Sequence, residues 1–206
     1  MLLGVVLLYV GVVLIVNGIW LIGQARAAAA PVPQPAPPGG PAAPEPLAIE
    51  GHPSFIQNRE VAVLNIFTGF IGVVAAVTLA VQGNQNEDLA SIRGAGYILL
   101  FAFTYLWVAY NQYVNAGGHA FGWYCLFVAV TAVAAGVFAF SNAEGNSAAI
   151  YLGCCWFAWA VLWFLFWMLL ALERPIARLT GAVAVVEGIA TAWVFGILLL
   201  EDVIAF

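Results

Sequence analysis

Six stretches of the chain are apolar with only scattered polar positions, at about residues 2–22, 61–82, 94–113, 121–140, 148–172 and 180–200. A helix that crosses a hydrocarbon core needs about 20 such residues, and each stretch meets that length. None alternates with the two-residue period of a barrel strand, and all are too long for one. The pattern predicts a bundle of six transmembrane helices, an all-α integral membrane protein forming one domain over residues 1–206. The first stretch reads as a retained helix rather than a cleaved signal peptide. No positive charge precedes it, its apolar run exceeds an ordinary h-region, and Asn17 and Trp20 suit a helix with internal partners.

One segment breaks the apolar pattern. Nine of the ten prolines fall between Pro31 and Pro53, set among alanines and glycines. Proline lacks an amide donor and fixes φ, so this stretch predicts a flexible, partly polyproline-II loop over residues 24–58, with partner docking as its alternative use. The arginines give an orientation. Arg26, Arg59, Arg174 and Arg178 lie in odd-numbered connections and Arg93 alone in an even one. Basic residues favour the cytoplasmic side. The expectation is a protein of the cytoplasmic (inner) membrane with the proline-rich loop inside and both termini outside. Glu87, Asp88, Glu144, Glu201 and Asp202 then lie on the outer side.

Composition narrows the function. With 65% hydrophobic and 7% charged residues, a soluble globule of this size would lack polar surface. All five basic residues are arginines, which removes a P-loop lysine, a Schiff-base lysine and a basic nucleic-acid surface. Cys125, Cys154 and Cys155 sit in apolar runs without CxxC spacing and read as buried thiols. Neither a GxSxG serine nor an HExxH pair is present, so no catalytic residue, metal site or cofactor is expected and the chain is not read as an enzyme.

The informative positions are the polar and aromatic ones inside the spans. Glu187 lies roughly 10 Å into the last stretch at 1.5 Å per residue. A carboxylate at mid-membrane costs about 2.5–3.5 kcal/mol, so it should face protein or water. It reads equally as a pathway-lining acid or as one that ties helices together. No other charge lies deep in a span, which argues against strong ion coupling. In the fifth stretch Trp156, Trp159, Trp163 and Trp167 share one helical stripe. In the third, Phe103, Trp107 and Tyr110 repeat the theme beside Thr104 and Asn111. Such stripes serve core packing or line a narrow passage. Uncharged aromatic walls cannot replace an ion's hydration shell, but they can sandwich a flat neutral molecule whose carbonyl and amino groups meet indole N–H and hydroxyl groups. Urea and small amides are such molecules. Asn17, Asn65, Thr68, Thr131 and Thr191 read first as interhelical hydrogen-bonding groups, worth about 0.6 kcal/mol each on average.

Short motifs in every span add a family likeness. They are Leu7-Leu8-Tyr9-Val10-Gly11 with Asn17-Gly18-Ile19, Asn65-Ile66-Phe67, and Phe103-Thr104-Tyr105-Leu106 with Asn111. Trp123-Tyr124 with Leu126-Phe127-Val128-Ala129 continues the series. Trp156, Ala158, Trp159, Val161, Leu162 and Trp163, then Glu187-Gly188-Ile189 with Thr191-Ala192-Trp193, complete it. Together they resemble the AmiS/UreI family of urea channels and amide transporters over all but the proline-rich loop. The resemblance implies a hexameric ring of six-helix protomers with one conduit through each. It implies an aromatic constriction at Phe103, Trp107, Trp159, Leu162 and Trp163, with Glu187 as the acid of the last helix. Asn17, Thr104 and Asn111 are further candidates for polar lining or support. Trp107 stands where the urea-channel version carries a tyrosine, which leans toward amide substrates. Acid-opened members use titrating groups of the outer loops, whereas the histidines here, His52 and His119, fall on connections expected to be cytoplasmic.

The leading reading is a passive channel or facilitator for urea and short-chain aliphatic amides without strong acid gating. A cytosolic amidase or urease that consumes the solute would keep the gradient inward. The rivals are a proton-coupled small-amide carrier using Glu187 and a non-transporting membrane scaffold.

Overall fold

The computed structural model describes residues 2–29 and 56–206. Six helices among these residues are long and apolar enough to span a bilayer: α1 (Leu2–Ala28), α2 (Asn58–Gln85), α3 (Leu89–Val114), α4 (His119–Ser141), α5 (Ser147–Leu170) and α6 (Ala177–Leu200). All six expected spans are present. Helix α1 continues past its expected end into what was read as loop, because Gln24, Ala27 and Ala28 are good helix formers and Arg26 can sit beside the last carbonyls. The proline-rich run itself, and His52 with it, lies outside the described residues.

The connections from α2 onward are short, and side chains help to start α2, α3 and α5. Asp88 accepts the Ala90 amide at 2.9 Å to start α3, and Asn146 accepts the Ala149 amide at 2.9 Å to start α5. At the start of α2 the Glu60 carboxylate accepts the Gln57 amide at 2.7 Å. Helices α2 and α3 form one antiparallel pair and α4 and α5 another, while α1 pairs with α6 and so closes the bundle.

That last pairing depends on glycine. A Cβ on Gly18 would lie 2.5 Å from the Gly181 carbonyl oxygen, and one on Gly11 would lie 2.8 Å from the Trp193 nitrogen. Gly4 meets Leu200 and Gly196 in the same way one turn-pair earlier. Lipid supplies no hydrophobic drive between helices, so such close backbone approach is what holds α1 on α6.

Helix α6 is not uniform. Ala177–Glu187 is α-helical, Gly188–Trp193 widens into a π-helical turn, and Val194–Leu200 returns to α. A π turn leaves carbonyls poorly matched within the helix. Here α5 supplies partners: Tyr151 donates its hydroxyl to the Ala190 carbonyl at 2.6 Å, and Cys155 donates its thiol to the Thr191 carbonyl at 3.6 Å.

Candidate functional site

Between α1, α3 and α5 lies a cavity of about 530 Å³. It opens at the end of the bundle that carries Ser91, Arg93, Asn142 and Phe206, the end expected to face outward. One wall is aliphatic, from Val6, Val10 and Leu14 of α1. The facing walls are aromatic: Tyr97, Phe101 and Tyr105 from α3, and Trp156, Trp159 and Trp163 from α5. Both aromatic sets recur every three or four residues, so each helix turns one stripe toward the hollow.

The rings hold one another in place. Phe101 stacks on Trp156 at 5.4 Å and meets Trp159 and Trp163 edge-on at 5.2 and 5.5 Å. Trp156 and Trp159 are nearly perpendicular at 5.2 Å. Offset and edge-on pairs of this kind are the favoured arrangements for aromatic quadrupoles.

A second hollow, about 480 Å³ and polar, opens at the opposite end, lined by Gln24, Asn58, Arg59, Gln112 and Asn115 among others. Trp20 and Gln24 both donate to the Asn58 side-chain oxygen there, at 3.1 and 3.0 Å. Along α3, Tyr105 at the aromatic cavity and Gln112 at the polar one stand about two turns apart, roughly 10 Å.

Near the inner end of the aromatic cavity, hydrogen bonding is left incomplete. The Tyr105 hydroxyl and the Trp163 indole N–H on its wall are buried without a partner, as are the Trp167 indole N–H and one oxygen of Glu187, which do not line it. Buried polar groups are nearly always paired, so the two donors left free on the wall of the hollow are suited to a solute that carries a carbonyl.

The residues singled out in the sequence divide by location. Trp159 and Trp163 line the aromatic cavity. Leu162 is fully buried beside them in the core, and Glu187 is buried at 7% exposure. Trp107 packs on Phe121 and Tyr124, each 5.6 Å away, and so joins α3 to α4 instead of lining the hollow. Thr104 returns its hydroxyl to the Leu100 carbonyl at 2.8 Å, and Asn111 donates to the Gly117 carbonyl at 3.4 Å, both within or next to α3. Asn17 pairs with Asn65, away from both hollows.

Phe103 requires a correction. It is 49% exposed on the outer face of the bundle, and the inward position two residues earlier belongs to Phe101. Two residues turn a helix by about 200°, so a slip of that size moves a side chain to the opposite face. Phe101 and Tyr105 were missed as walls although their signal was present: Tyr97, Phe101 and Tyr105 recur every four residues, parallel to the tryptophan stripe of α5.

Known proteins share this sequence and architecture. The sequence profile of AmiS/UreI family transporters matches residues 53–203. A Mycolicibacterium smegmatis protein described as a transporter of amidate substrates is 36% identical over 199 residues, covering 96% of this chain and 76% of that protein. The acid-activated urea channel of Helicobacter pylori is 30% identical over 214 residues, covering 93% of this chain and 94% of that one. The crystal structure of the Helicobacter pylori urea channel superposes with a TM-score of 0.73 at 27% identity, covering 100% of both chains.

Proposed function

The chain belongs to the AmiS/UreI family of multi-pass membrane transporters, and from that premise we propose that it is a passive channel or facilitator for urea and short-chain aliphatic amides. The observation that carries this reading is the unpaired Tyr105 hydroxyl and Trp163 indole N–H on the wall of an aromatic cavity, with the buried Glu187 and its unpaired oxygen on α6. A planar amide or urea presents one carbonyl and one or two amino groups. Its carbonyl can accept from the Tyr105 hydroxyl and the Trp163 N–H while an amino group donates to Glu187. Its flat faces fit between ring faces that offer no charge to a hydrated ion.

In this reading the solute enters from outside through the aromatic cavity and leaves through the polar one into the cytoplasm. The protein sits in the inner membrane with both termini outside and the proline-rich loop inside. A hexameric ring with one conduit per protomer fits the apolar outer face, on which Phe103 would meet lipid or a neighbouring protomer. A cytosolic amidase or urease would sustain the inward gradient. The free oxygen of Glu187 favours one rival, a proton-coupled carrier, in which accumulation would collapse together with the proton gradient while equilibration through a channel would persist.

Stopped-flow uptake of urea and acetamide into proteoliposomes tests the reading, with Trp163→Ala in parallel. Rapid equilibration that needs no gradient and changes with the substitution supports it. Empty-liposome rates for both solutes would refute it.

A further inference from the structure

Thr191 stands in the π turn of α6 with both hydrogen-bonding capacities of its hydroxyl in use. It accepts the Trp159 indole N–H at 2.8 Å and donates to the Glu187 carbonyl at 2.6 Å, all three groups being buried. Trp159 forms part of the aromatic cavity wall. A tryptophan ring in a wall can turn about two side-chain torsions, and each orientation gives a different bore. Ring packing alone constrains it loosely, because Phe101 and Trp156 both meet it edge-on. The hydrogen bond to Thr191 is directional and fixes the indole edge toward α6. The turn that carries Thr191 is itself anchored, since Tyr151 and Cys155, two turns and one turn before Trp159 on α5, hold the Ala190 and Thr191 carbonyls.

We infer that Thr191 is a positioning residue that latches the Trp159 ring and so sets which solutes the aromatic constriction admits. The inference rests on the channel reading above for its consequence, but the latch itself is a property of two side chains. Thr191 touches no solute. It acts through Trp159, and the hydroxyl, not the size of the side chain, is what matters.

The test replaces the hydroxyl and keeps the shape. Thr191→Val should shift the permeability ratio of urea to propionamide by about two- to tenfold, the span expected for one lost hydrogen bond. Thr191→Ser should restore the wild-type ratio. In a Trp159→Phe background, Thr191→Val should add no further shift. An unchanged ratio in Thr191→Val, or an equal shift in the Trp159→Phe background, overturns the latch. If Thr191→Val does not fold, Thr191→Ala takes its place with the same three comparisons. If the wild-type protein conducts neither solute, the channel reading fails, and the latch is then decided by ultraviolet resonance Raman of the indole N–H. A band shift on Thr191→Val that is absent without Trp159 upholds the latch, and no shift overturns it.

Discussion

Asn17 of α1 and Asn65 of α2 exchange two amide hydrogen bonds across the helix interface, at 3.1 and 2.8 Å. The second amide hydrogen of Asn65 goes to the Val61 carbonyl at 2.8 Å, and Asn65 is wholly buried. Replacing Asn65 by Leu would strand the Asn17 amide against apolar surroundings. The expected cost is about 1–2 kcal/mol, read as a lower thermal midpoint in detergent. The double change Asn17→Leu with Asn65→Leu should recover part of that loss, because neither side then carries an unmatched polar group. Neither residue lines a cavity, so solute selectivity should stay constant in all three variants.

Phe101 and Phe103 offer a sharper contrast, being two residues apart on α3 with opposite surroundings. Phe101→Ala removes a ring that touches Trp156, Trp159 and Trp163. It should widen the constriction and weaken discrimination between urea and larger amides by about tenfold, since pocket contacts of this size decide specificity on that scale. Phe103→Ala should leave the permeability ratio unchanged. Proteoliposome uptake of urea, acetamide and butyramide measures both, and equal effects of the two variants would contradict the placement.

The same pair marks where sequence stops being informative. The six spans were legible because crossing lipid demands about 20 apolar residues, a constraint that composition alone satisfies or fails. The α5 stripe of Trp156, Trp159, Trp163 and Trp167 was legible as a stripe, but its spacing left core packing and passage lining open; the first three line the hollow, and Trp167 packs on Trp123 and Phe164. On α3, two aromatic stripes coexist, and periodicity describes both without saying which one faces the hollow. Phe103 and Tyr110 point outward, and Trp107 turns to α4. The glycines of α1 announce a close contact, but only the folded bundle identifies α6 as its partner. The π turn left no sequence signal that was read. Its stability comes from donors on another helix, Tyr151 and Cys155, and tertiary contacts of that kind lie beyond any local pattern.

External acidity should have little effect. At the end of the bundle where the aromatic cavity lies, the acids are Glu87, Asp88, Glu144, Glu201 and Asp202, and among the described residues no histidine lies at that end. The Ser91 hydroxyl and the Ser91 and Ala90 backbone hold the Asp88 carboxyl below the usual aspartate value. A carboxyl lowered in the folded state lends stability above its unfolded value and loses it only as pH falls through the folded one. Asp88 therefore stays ionised, and α3 stays capped, throughout the mildly acidic range. Urea flux at an outer pH of about 5.5 should lie within about twofold of that at about 7.5, because no histidine titrates at the mouth. A steep rise on acidification would reveal a sensor elsewhere.

The roles of Tyr105 and Glu187 can be separated by choice of solute. In the proposed pose Tyr105 donates to the solute carbonyl, whereas Glu187 accepts from a solute N–H. Acetamide carries both groups, and N,N-dimethylacetamide keeps the carbonyl but has no N–H. Tyr105→Phe should lower the flux of both by about two- to tenfold, the effect of one lost donor. Glu187→Gln should lower acetamide flux and leave N,N-dimethylacetamide nearly unaffected, because only the first solute uses the carboxylate. Paired initial rates in proteoliposomes give the answer directly. If Glu187→Gln depresses both solutes in proportion, the carboxylate serves the architecture of α6 and not the solute. The free oxygen of Glu187 would then be a feature of packing around the π turn, and Tyr105 and Trp163 alone would remain as the polar contacts of the pathway.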